Sequence, residues 1–340
     1  MRMVPMKSTV RWMSMWMALV VAGLCLVPER AAAVEADAET GAWGGIKVER
    51  RTFPVRLSDG HVYNLVGYLY YQGSLKNKPV QILVHGITYN HDYWDLPEIN
   101  RQDYSYARYM ARQHYAVLAL DLLGTGESDK PDGDFLDLSE AASSLHQVVQ
   151  RLKATAARNT FEKILYVGHS NGSLTITYAQ AYYRDADAVV LTGWLNTYHQ
   201  LPVGDEVFGP LLAQGPYVRV PPELRTGLFY DQKHADPAVI AYDNAEADVV
   251  PRGQLADLFT LLKNPEPIPA EKITVPIMVQ LGEFDAVAPA AYAAQEARAY
   301  PRSPYVFVDK IDDVGHAVNG HRTRLRSWAM IALWLRLVGC

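Results

Sequence analysis

The feature that most constrains the fold of this chain is a repeated alternation of short apolar runs with helical stretches. Four of the runs are "VQILVHG", "YAVLALDLLG", "KILYVGHS" and "DAVVLTGW". They have the length and continuous apolar character of strands buried on both faces. Helical stretches separate them, around 104–114, from 138 to about 156 and over 171–183. Such a series of βα units predicts an α/β fold, with a mostly parallel central sheet and helices on both of its faces.

The segments at either end of this series extend the predicted sheet. "IKVERRTFPVRL" and "HVYNLVGYLYYQ" are separated by the turn residues Ser58-Asp59-Gly60, which predicts an antiparallel hairpin before the first parallel strand. Near the other end, "VPIMVQLGEFD" and "YVFVDKI" are predicted strands. Helices predicted over 289–300 and from about 322 to 337 complete the domain.

The alternation stops between residues 196 and 269. Prolines recur there among large aromatic side chains, and no clear strand is visible. Linkers lack so many large apolar residues, so this segment is predicted to be a lid inserted into the fold. The core then consists of two parts, residues 34–195 and 270–340.

The first 33 residues form a separate unit. A positive region with Arg2, Lys7 and Arg11 precedes an uncharged, mostly apolar stretch over 12–27, and "AAAVEA" offers a small-x-small cleavage site. This pattern predicts a secretory signal peptide over residues 1–33, and therefore a secreted protein, extracellular or periplasmic, with no stable membrane anchor after cleavage. The alternative is an uncleaved anchor, but the apolar stretch is short compared with the ~20 residues that a spanning helix needs.

Charge and cysteine content exclude several classes of function. The formal net charge is −5 and no long basic run follows the N-terminal segment, which argues against a nucleic-acid partner. Cys25 lies within the predicted signal peptide and Cys340 is the last residue, so the mature chain has neither an internal disulfide nor a cysteine zinc site. Scattered histidines such as His91 and His234 lack the spacing of metal ligands. No metal and no cofactor are predicted, and the sequence does not indicate an oligomeric state.

The stretch "YVGHSNGSL" places Ser170 at a predicted strand-to-helix turn. A nucleophile at such an elbow needs a strained backbone and small neighbours, and Gly168 and Gly172 remove side chains from the crowded positions. The helix that starts at Asn171 directs its N-terminal N–H groups at the site, where they favour negative charge. Ser170 is therefore the candidate nucleophile.

A serine hydroxyl needs a base to take its proton, and the base needs a carboxylate to orient it. The candidate base is His316, in the loop after the last strand. His321 is the alternative, although it is expected to be a surface or capping residue. The candidate acid is Asp285, just past a strand. Glu283 competes, because two residues apart on a strand end both side chains point the same way.

Backbone N–H groups are expected to form an oxyanion hole. The predicted donors are Asn171, which follows the nucleophile, and Ile87, which follows the first parallel strand. His169 and His85 flank these motifs and are expected to orient loops. Three aromatic residues are candidates for lining an acyl pocket, with core packing as the alternative for each: Tyr89, Trp94 and Trp194.

Taken in order, these motifs resemble the α/β-hydrolase superfamily of esterases, lipases and related enzymes. The matching stretches are "HG" at 85–86, "DLLGTGESD" at 121–129, "GHSNG" at 168–172, "GEFD" at 282–285 and "GH" at 315–316. The resemblance covers roughly residues 45–338 and implies the α/β-hydrolase fold, with its order serine, acid, histidine. It favours Asp285 over Glu283. "HGITYNHDYWD" also looks like secreted members of the family that act on small organic molecules.

A serine nucleophile implies acyl transfer, because the dehalogenases and epoxide hydrolases of this fold carry aspartate at that position. The expected function is a secreted serine hydrolase of a small carboxylic ester or lactone, with water as the acyl acceptor. An acyltransferase or a cofactor-free haloperoxidase could use the same triad. A binding protein with an inactive triad is the third alternative, although no catalytic element is missing.

Overall fold

The computed structural model describes residues 38–39, 45–154, 161–197, 203–263 and 268–340. The signal peptide predicted over residues 1–33 lies outside these residues. The described strands are β1 (Ala38–Glu39), β2 (Ile46–Arg56), β3 (Val62–Gln72), β4 (Val80–Val84), β5 (Leu96–Ile99), β6 (Gln102–Tyr104), β7 (Ala116–Asp121), β8 (Ile164–His169), β9 (Ala188–Thr192), β10 (Tyr217–Val218), β11 (Val250–Pro251), β12 (Ile277–Gly282) and β13 (Val306–Ile311). The described helices are α1 (Tyr106–Arg112), α2 (Leu138–Ala154), α3 (Asn171–Tyr183), α4 (Asp205–Leu212), α5 (Pro222–Phe229), α6 (Pro237–Ala245), α7 (Arg252–Lys263), α8 (Ala293–Glu296) and α9 (Arg324–Leu337).

A nine-stranded sheet runs through the molecule in the order β1-β2-β3-β7-β4-β8-β9-β12-β13. The six strands from β7 to β13 in this order are parallel to one another. β2 and β3 form the predicted antiparallel hairpin, and β3 joins β7 antiparallel. This mostly parallel sheet confirms the predicted α/β-hydrolase fold.

The apolar runs are buried because helices cover both faces of the sheet. Ile82 and Leu118 point to one face, into a core that includes Val148 and Ile176 of α2 and α3. Leu83, the neighbour of Ile82, points to the other face, where residues of α1 and α9 pack. Successive side chains of a strand alternate between faces, so a strand inside this sheet must be apolar along its whole length.

Residues 203–263 lie between β9 and β12, and we call this segment the insert. It contains α4, α5, α6 and α7, together with a two-residue antiparallel pairing of β10 with β11. Prolines begin two of its helices, Pro222 in α5 and Pro237 in α6. Proline suits the first turn of a helix because the N–H that it lacks has no partner there.

Two other regions differ from the expectations. A small hairpin, β5 with β6, and a 3₁₀ turn at His91–Trp94 lie between β4 and α1, where no element was predicted. The helix predicted over 289–300 is a 3₁₀ turn at Ala290–Tyr292 followed by the single turn of α8. Alanine-rich composition favours helix there, but propensity is a weak determinant compared with tertiary packing.

Candidate active site

Ser170 lies on the sharp turn between β8 and α3. Its backbone has φ 53° and ψ −124°, a conformation that residues other than glycine rarely adopt. Such a conformation costs of order 1–3 kcal/mol and persists only where the surroundings hold it. Here Ser170 N–H donates to Thr192 O at 2.9 Å, and Ser173 N–H donates to Ser170 O at 2.8 Å. These bonds fix Ser170 at the carboxyl end of β8.

The glycines beside Ser170 are required by close backbone approaches. A Cβ on Gly168 would lie 2.7 Å from Ser173 Cα, and one on Gly172 would lie 2.5 Å from His85 O. Both obstacles are backbone atoms, which cannot turn aside as a side chain can. The two glycines therefore let α3 start directly against β4.

His316 and Asp285 meet at the same edge of the sheet. His316 follows β13, and its Nδ1 lies 3.1 Å from both carboxylate oxygens of Asp285, which follows β12. Both residues are buried. Asp285 Oδ1 also accepts the N–H groups of Val287 at 2.7 Å and Ala288 at 2.8 Å, which fix the carboxylate. With a proton on Nδ1, the Nε2 lone pair of His316 is left available as a base.

The two alternative residues lie elsewhere. Glu283 is exposed, and its carboxylate accepts the Asp313 N–H at 3.1 Å. His321 is fully buried, so the expectation of a surface residue is wrong. It also does not cap the last helix, because α9 begins at Arg324 with Thr323 as its N-cap.

The imidazole of His321 holds the loop that carries His316. Its Nε2 accepts the N–H groups of Gly315 at 3.0 Å and Asp231 at 3.2 Å, and its Nδ1 donates to Ala317 O at 2.9 Å. Gly315 and Ala317 are the two neighbours of His316. No sequence pattern signals this role, because one histidine five residues after another has no distinctive spacing.

The predicted oxyanion donors both have unpaired N–H groups. Ile87 follows the β4 strand and Asn171 is the first residue of α3. Neither backbone N–H donates a hydrogen bond to any of the residues that the structure describes. A side chain at position 86 would not fit between the two loops, since a Cβ there would lie 2.9 Å from Ser170 Cβ.

An apolar cavity opens onto Ser170 and His316. Besides these two residues its walls are Ile87, Trp194, Leu195, Val203, Val207, Phe208, Leu211, Val220, Leu224, Leu228, Phe229, Leu255, Leu258 and Val287. Ten of these fourteen come from the insert. The indole N–H of Trp194 donates to Asn196 Oδ1 at 3.1 Å, which turns the polar edge of the ring toward another residue. Among the described residues, the side chains that line the cavity are therefore hydrocarbon except at Ser170 and His316.

Of the three aromatic pocket candidates, Trp194 alone lines this cavity. Trp94 is wrong as a pocket residue, because it packs in the core against Tyr93 and Tyr106 at ring distances of 5.0 and 5.3 Å. Tyr89 is wrong for a similar reason. It is buried against Tyr93, at 4.6 Å, and its hydroxyl donates to Asp243.

The two histidines in the flanking motifs are buried and structural. His169 stacks on Tyr93 at 4.4 Å, and its Nδ1 contacts Thr192 Oγ1 at 3.2 Å. Burial, with His316 nearby, holds the pKa of His169 well below its ordinary 6.5. His85 accepts the Leu122 N–H on Nε2 at 3.1 Å, and burial lowers its pKa also. Both imidazoles are therefore neutral near pH 7 and join the ends of neighbouring strands.

Sequence reasoning missed Gly193, which lies behind the base. It has φ 61°, and a Cβ would lie 3.1 Å from His316 Nδ1. Its position directly after β9, in "LTGW", is the signal that could have identified it.

Among the described residues, no cluster of three or more His, Cys, Asp or Glu side chains could hold a metal ion. None of the helices in the described ranges has the length and hydropathy of a membrane-spanning segment.

Solved structures share this fold at low sequence identity. An esterase from Thermogutta terrifontis, solved with malate bound, is 21% identical with a TM-score of 0.63, over 86% of this chain and 99% of its own. The enol-lactonase from Burkholderia xenovorans LB400 is 17% identical with a TM-score of 0.61, over 83% and 98%. A bromoperoxidase from Bacillus anthracis is 20% identical with a TM-score of 0.60, over 85% and 99%. These likenesses concern the fold alone.

A search of curated protein sequences finds no significant match. The model of the Alpha/beta hydrolase family, in contrast, matches residues 81–327. This match covers more than half of the chain and includes the positions of Ser170, Asp285 and His316. The chain therefore belongs to the alpha/beta hydrolase family.

Proposed function

We propose that this protein is a serine hydrolase that cleaves a small carboxylic ester or lactone through Ser170, His316 and Asp285. The observation that carries the proposal is the cavity: among the described residues that line it, the polar side chains are Ser170 and His316, together with the Trp194 indole, whose N–H is bonded to Asn196. A reactive serine next to a buried His–Asp pair suits acyl transfer. Apolar walls suit an uncharged acyl group.

The proposed reaction starts with Ser170 Oγ attacking the carbonyl carbon of the substrate. His316 Nε2 takes the hydroxyl proton as the new C–O bond forms, and Asp285 stabilises the resulting imidazolium. The carbonyl oxygen becomes an oxyanion, for which the unpaired N–H groups of Ile87 and Asn171 are the proposed donors. His316 then returns the proton to the leaving alcohol oxygen as the C–O bond of the substrate breaks.

Water completes the cycle by attacking the acyl-enzyme. His316 takes a proton from the water. It then passes the proton to Ser170 Oγ as the bond between Oγ and the acyl group breaks and the free acid is released. In a lactone the leaving oxygen stays attached to the product, which is then a hydroxy acid. No hydrogen bond joins Ser170 Oγ to His316 in the described part of the chain, and such bonds are often long until substrate is bound.

The first test is covalent labelling followed by peptide mass spectrometry. A fluorophosphonate should modify Ser170, and Ser170→Ala should abolish labelling and lower kcat by about 10³-fold or more. Ser173→Ala is the matched control, because Ser173 is buried three residues away and its Oγ donates to Thr192 O. Labelling of a different serine, or equal losses in both variants, would refute the assignment.

The substrate class needs a second measurement. Hydrolysis of p-nitrophenyl acetate and butyrate should be compared with hydrolysis of a lactone panel, in the absence and presence of an added alcohol. An ester product with the alcohol in place of free acid would favour acyl transfer, and bromination in the presence of peroxide and bromide would favour the haloperoxidase alternative.

We also propose that the protein is exported. The support is the charged, apolar and small-residue pattern of residues 1–33. Protein recovered from outside the cytoplasm should then begin at Val34, as determined by N-terminal sequencing. Recovery with Met1 intact and bound to membranes would favour the uncleaved anchor.

A further inference from the structure

The loop that follows β4 contains a strained residue. Thr88 has φ 66°, in the left-handed region. This conformation is unfavourable for any residue with a side chain and especially for a β-branched one. Thr88 directly follows Ile87, whose N–H is unpaired among the described residues. A strained residue beside a free donor at a reacting centre requires contacts that hold it in place.

The insert supplies those contacts. Arg225 of α5 is fully buried, and its Nε donates to Thr88 Oγ1 at 3.0 Å. Asp248, which also belongs to the insert, donates its backbone N–H to Thr88 O at 2.9 Å. The side chain and the carbonyl of Thr88 are thus both bound from the insert, and the hydroxyl is bound by a cation.

Arg225 is itself rigidly placed. Its Nη1 donates to Asp243 O at 2.8 Å and to Asn244 Oδ1 at 2.7 Å, and its Nη2 donates to Asp243 Oδ2 at 2.9 Å. Its guanidinium also lies over the rings of Tyr89, at 5.1 Å, and Phe229, at 5.6 Å. Three hydrogen bonds of the guanidinium thus go to α6, and the fourth, from Nε, goes to Thr88.

We infer that Arg225 is a positioning residue for the reaction proposed above: by holding Thr88 in the left-handed conformation, it directs the Ile87 N–H toward the oxyanion. The inference rests on the proposed function, because it assigns Ile87 a developing negative charge to stabilise. Return of Thr88 to a relaxed conformation would change the course of the loop and shift Ile87, whose N–H belongs to the preceding peptide, out of this direction. A misplaced N–H group no longer stabilises the oxyanion in the transition state, whereas binding of the substrate is nearly unchanged.

The experiment compares an ester with its thiono analogue, in which sulfur replaces the carbonyl oxygen. Sulfur accepts hydrogen bonds from N–H groups poorly, so the ratio of kcat/KM for the two substrates reports the oxyanion donors. Thr88→Val removes the hydroxyl and keeps the side-chain shape. It should lower kcat for the oxygen ester by about 10- to 100-fold, leave KM within about twofold and shrink the ratio.

Arg225→Lys provides the second variant in case Thr88→Val does not fold. Lysine keeps the positive charge beside Asp243 but cannot bond Thr88 and the three acceptors on α6 together. Arg225→Lys should cause the same loss of kcat for the oxygen ester. The double variant should lose no more kcat than either single variant. Thr88→Ser restores the hydroxyl and should restore the ratio.

Thr177→Val is the matched control, because Thr177 is a buried threonine of α3 with one hydrogen bond, to Ser173 O. It should leave the ratio unchanged. An unchanged ratio in Thr88→Val and Arg225→Lys, or additive losses in the double variant, would make Arg225 a purely structural residue. Failure of a fluorophosphonate to label Ser170 in the unmodified protein would instead remove the proposed function, and the positioning role with it.

Discussion

Protonation of His321 should weaken the fold as the pH falls below about 6.5. Burial lowers the pKa of this imidazole, while Asp231 and Asp285 oppose the effect and His234 adds to it. The geometry explains the direction, because Nε2 accepts two backbone N–H groups and Nδ1 donates to Ala317 O. A proton on Nε2 would turn an acceptor into a donor that faces two other donors.

The magnitude follows from linkage between protonation and folding. In the unfolded chain His321 titrates near its ordinary pKa of ~6.5. The stabilising contribution of the neutral imidazole is therefore fully present above that pH and is lost as the pH falls toward the folded pKa. In that window the free energy of unfolding should fall by up to about 1.4 kcal/mol per pH unit from His321 alone, the limit that applies while His321 is protonated in the unfolded chain and neutral in the folded one.

The assay is urea denaturation of the unmodified protein and of His321→Gln between pH 5 and pH 8. Glutamine does not titrate, and its amide offers one acceptor and donors of its own. The variant should be less stable at pH 8 by about 1–3 kcal/mol, since the hydrogen bonds are imperfectly replaced. Its free energy of unfolding should depend less steeply on pH below pH 6, by up to about 1.4 kcal/mol per unit.

Comparison of the two slopes is necessary because burial also lowers the pKa values of His85 and His169. These two residues contribute pH dependence to both proteins, and the difference isolates His321. Identical slopes would show that His321 titrates alike in the folded and unfolded chains. The hydrogen-bond argument would then be wrong.

Two further predictions concern the acid and the cavity. Asp285→Asn should lower kcat by about 10³- to 10⁴-fold, because an amide favours the wrong imidazole tautomer, whereas Glu283→Gln should change kcat by less than about twofold. Steady-state kinetics on p-nitrophenyl butyrate would measure both effects. Comparable losses in the two variants would transfer the role of the acid to Glu283. Val207 lines the cavity from α4, so Val207→Ala should raise kcat/KM for an ester one carbon longer, relative to the shorter one, by about 10-fold, and Val207→Phe should lower it. A chain-length series would measure both, and parallel changes for all esters would place the acyl group elsewhere. Phe229 is a poorer probe of the same cavity, because its ring lies 5.3 Å from that of His316.

The parallel core was predictable because its physical cause is local. A strand covered on both faces is apolar throughout, and β4, β7 and β8 are buried along their whole lengths. The start of α3 was also predictable, since the two glycines around Ser170 mark a turn that no other residue permits. Both features can be read within a few residues of sequence.

The insert was less predictable because its structure depends on contacts with residues that are distant in the sequence. Its helices are short, and prolines begin α5 and α6, a role that the recurrence of proline in the sequence does not reveal. The contact of Arg225 with Thr88 joins residues 137 positions apart. No periodicity or motif signals such a pair, and the same is true of the bonds from His321 to the loop of His316. Tertiary hydrogen bonds decide these positions, and they have no local pattern.

The order of strands in the sheet has a consequence for when activity arises during folding. The proposed nucleophile, Ser170, follows β8 in the middle of the sheet, whereas the proposed acid and base follow β12 and β13 at its edge. A folding intermediate without those last two strands would hold its serine in place and still have no general base. Contacts so far apart in the chain form slowly. We therefore expect the proposed hydrolase activity to be among the last properties recovered on refolding, so that an incompletely folded chain is chemically inert.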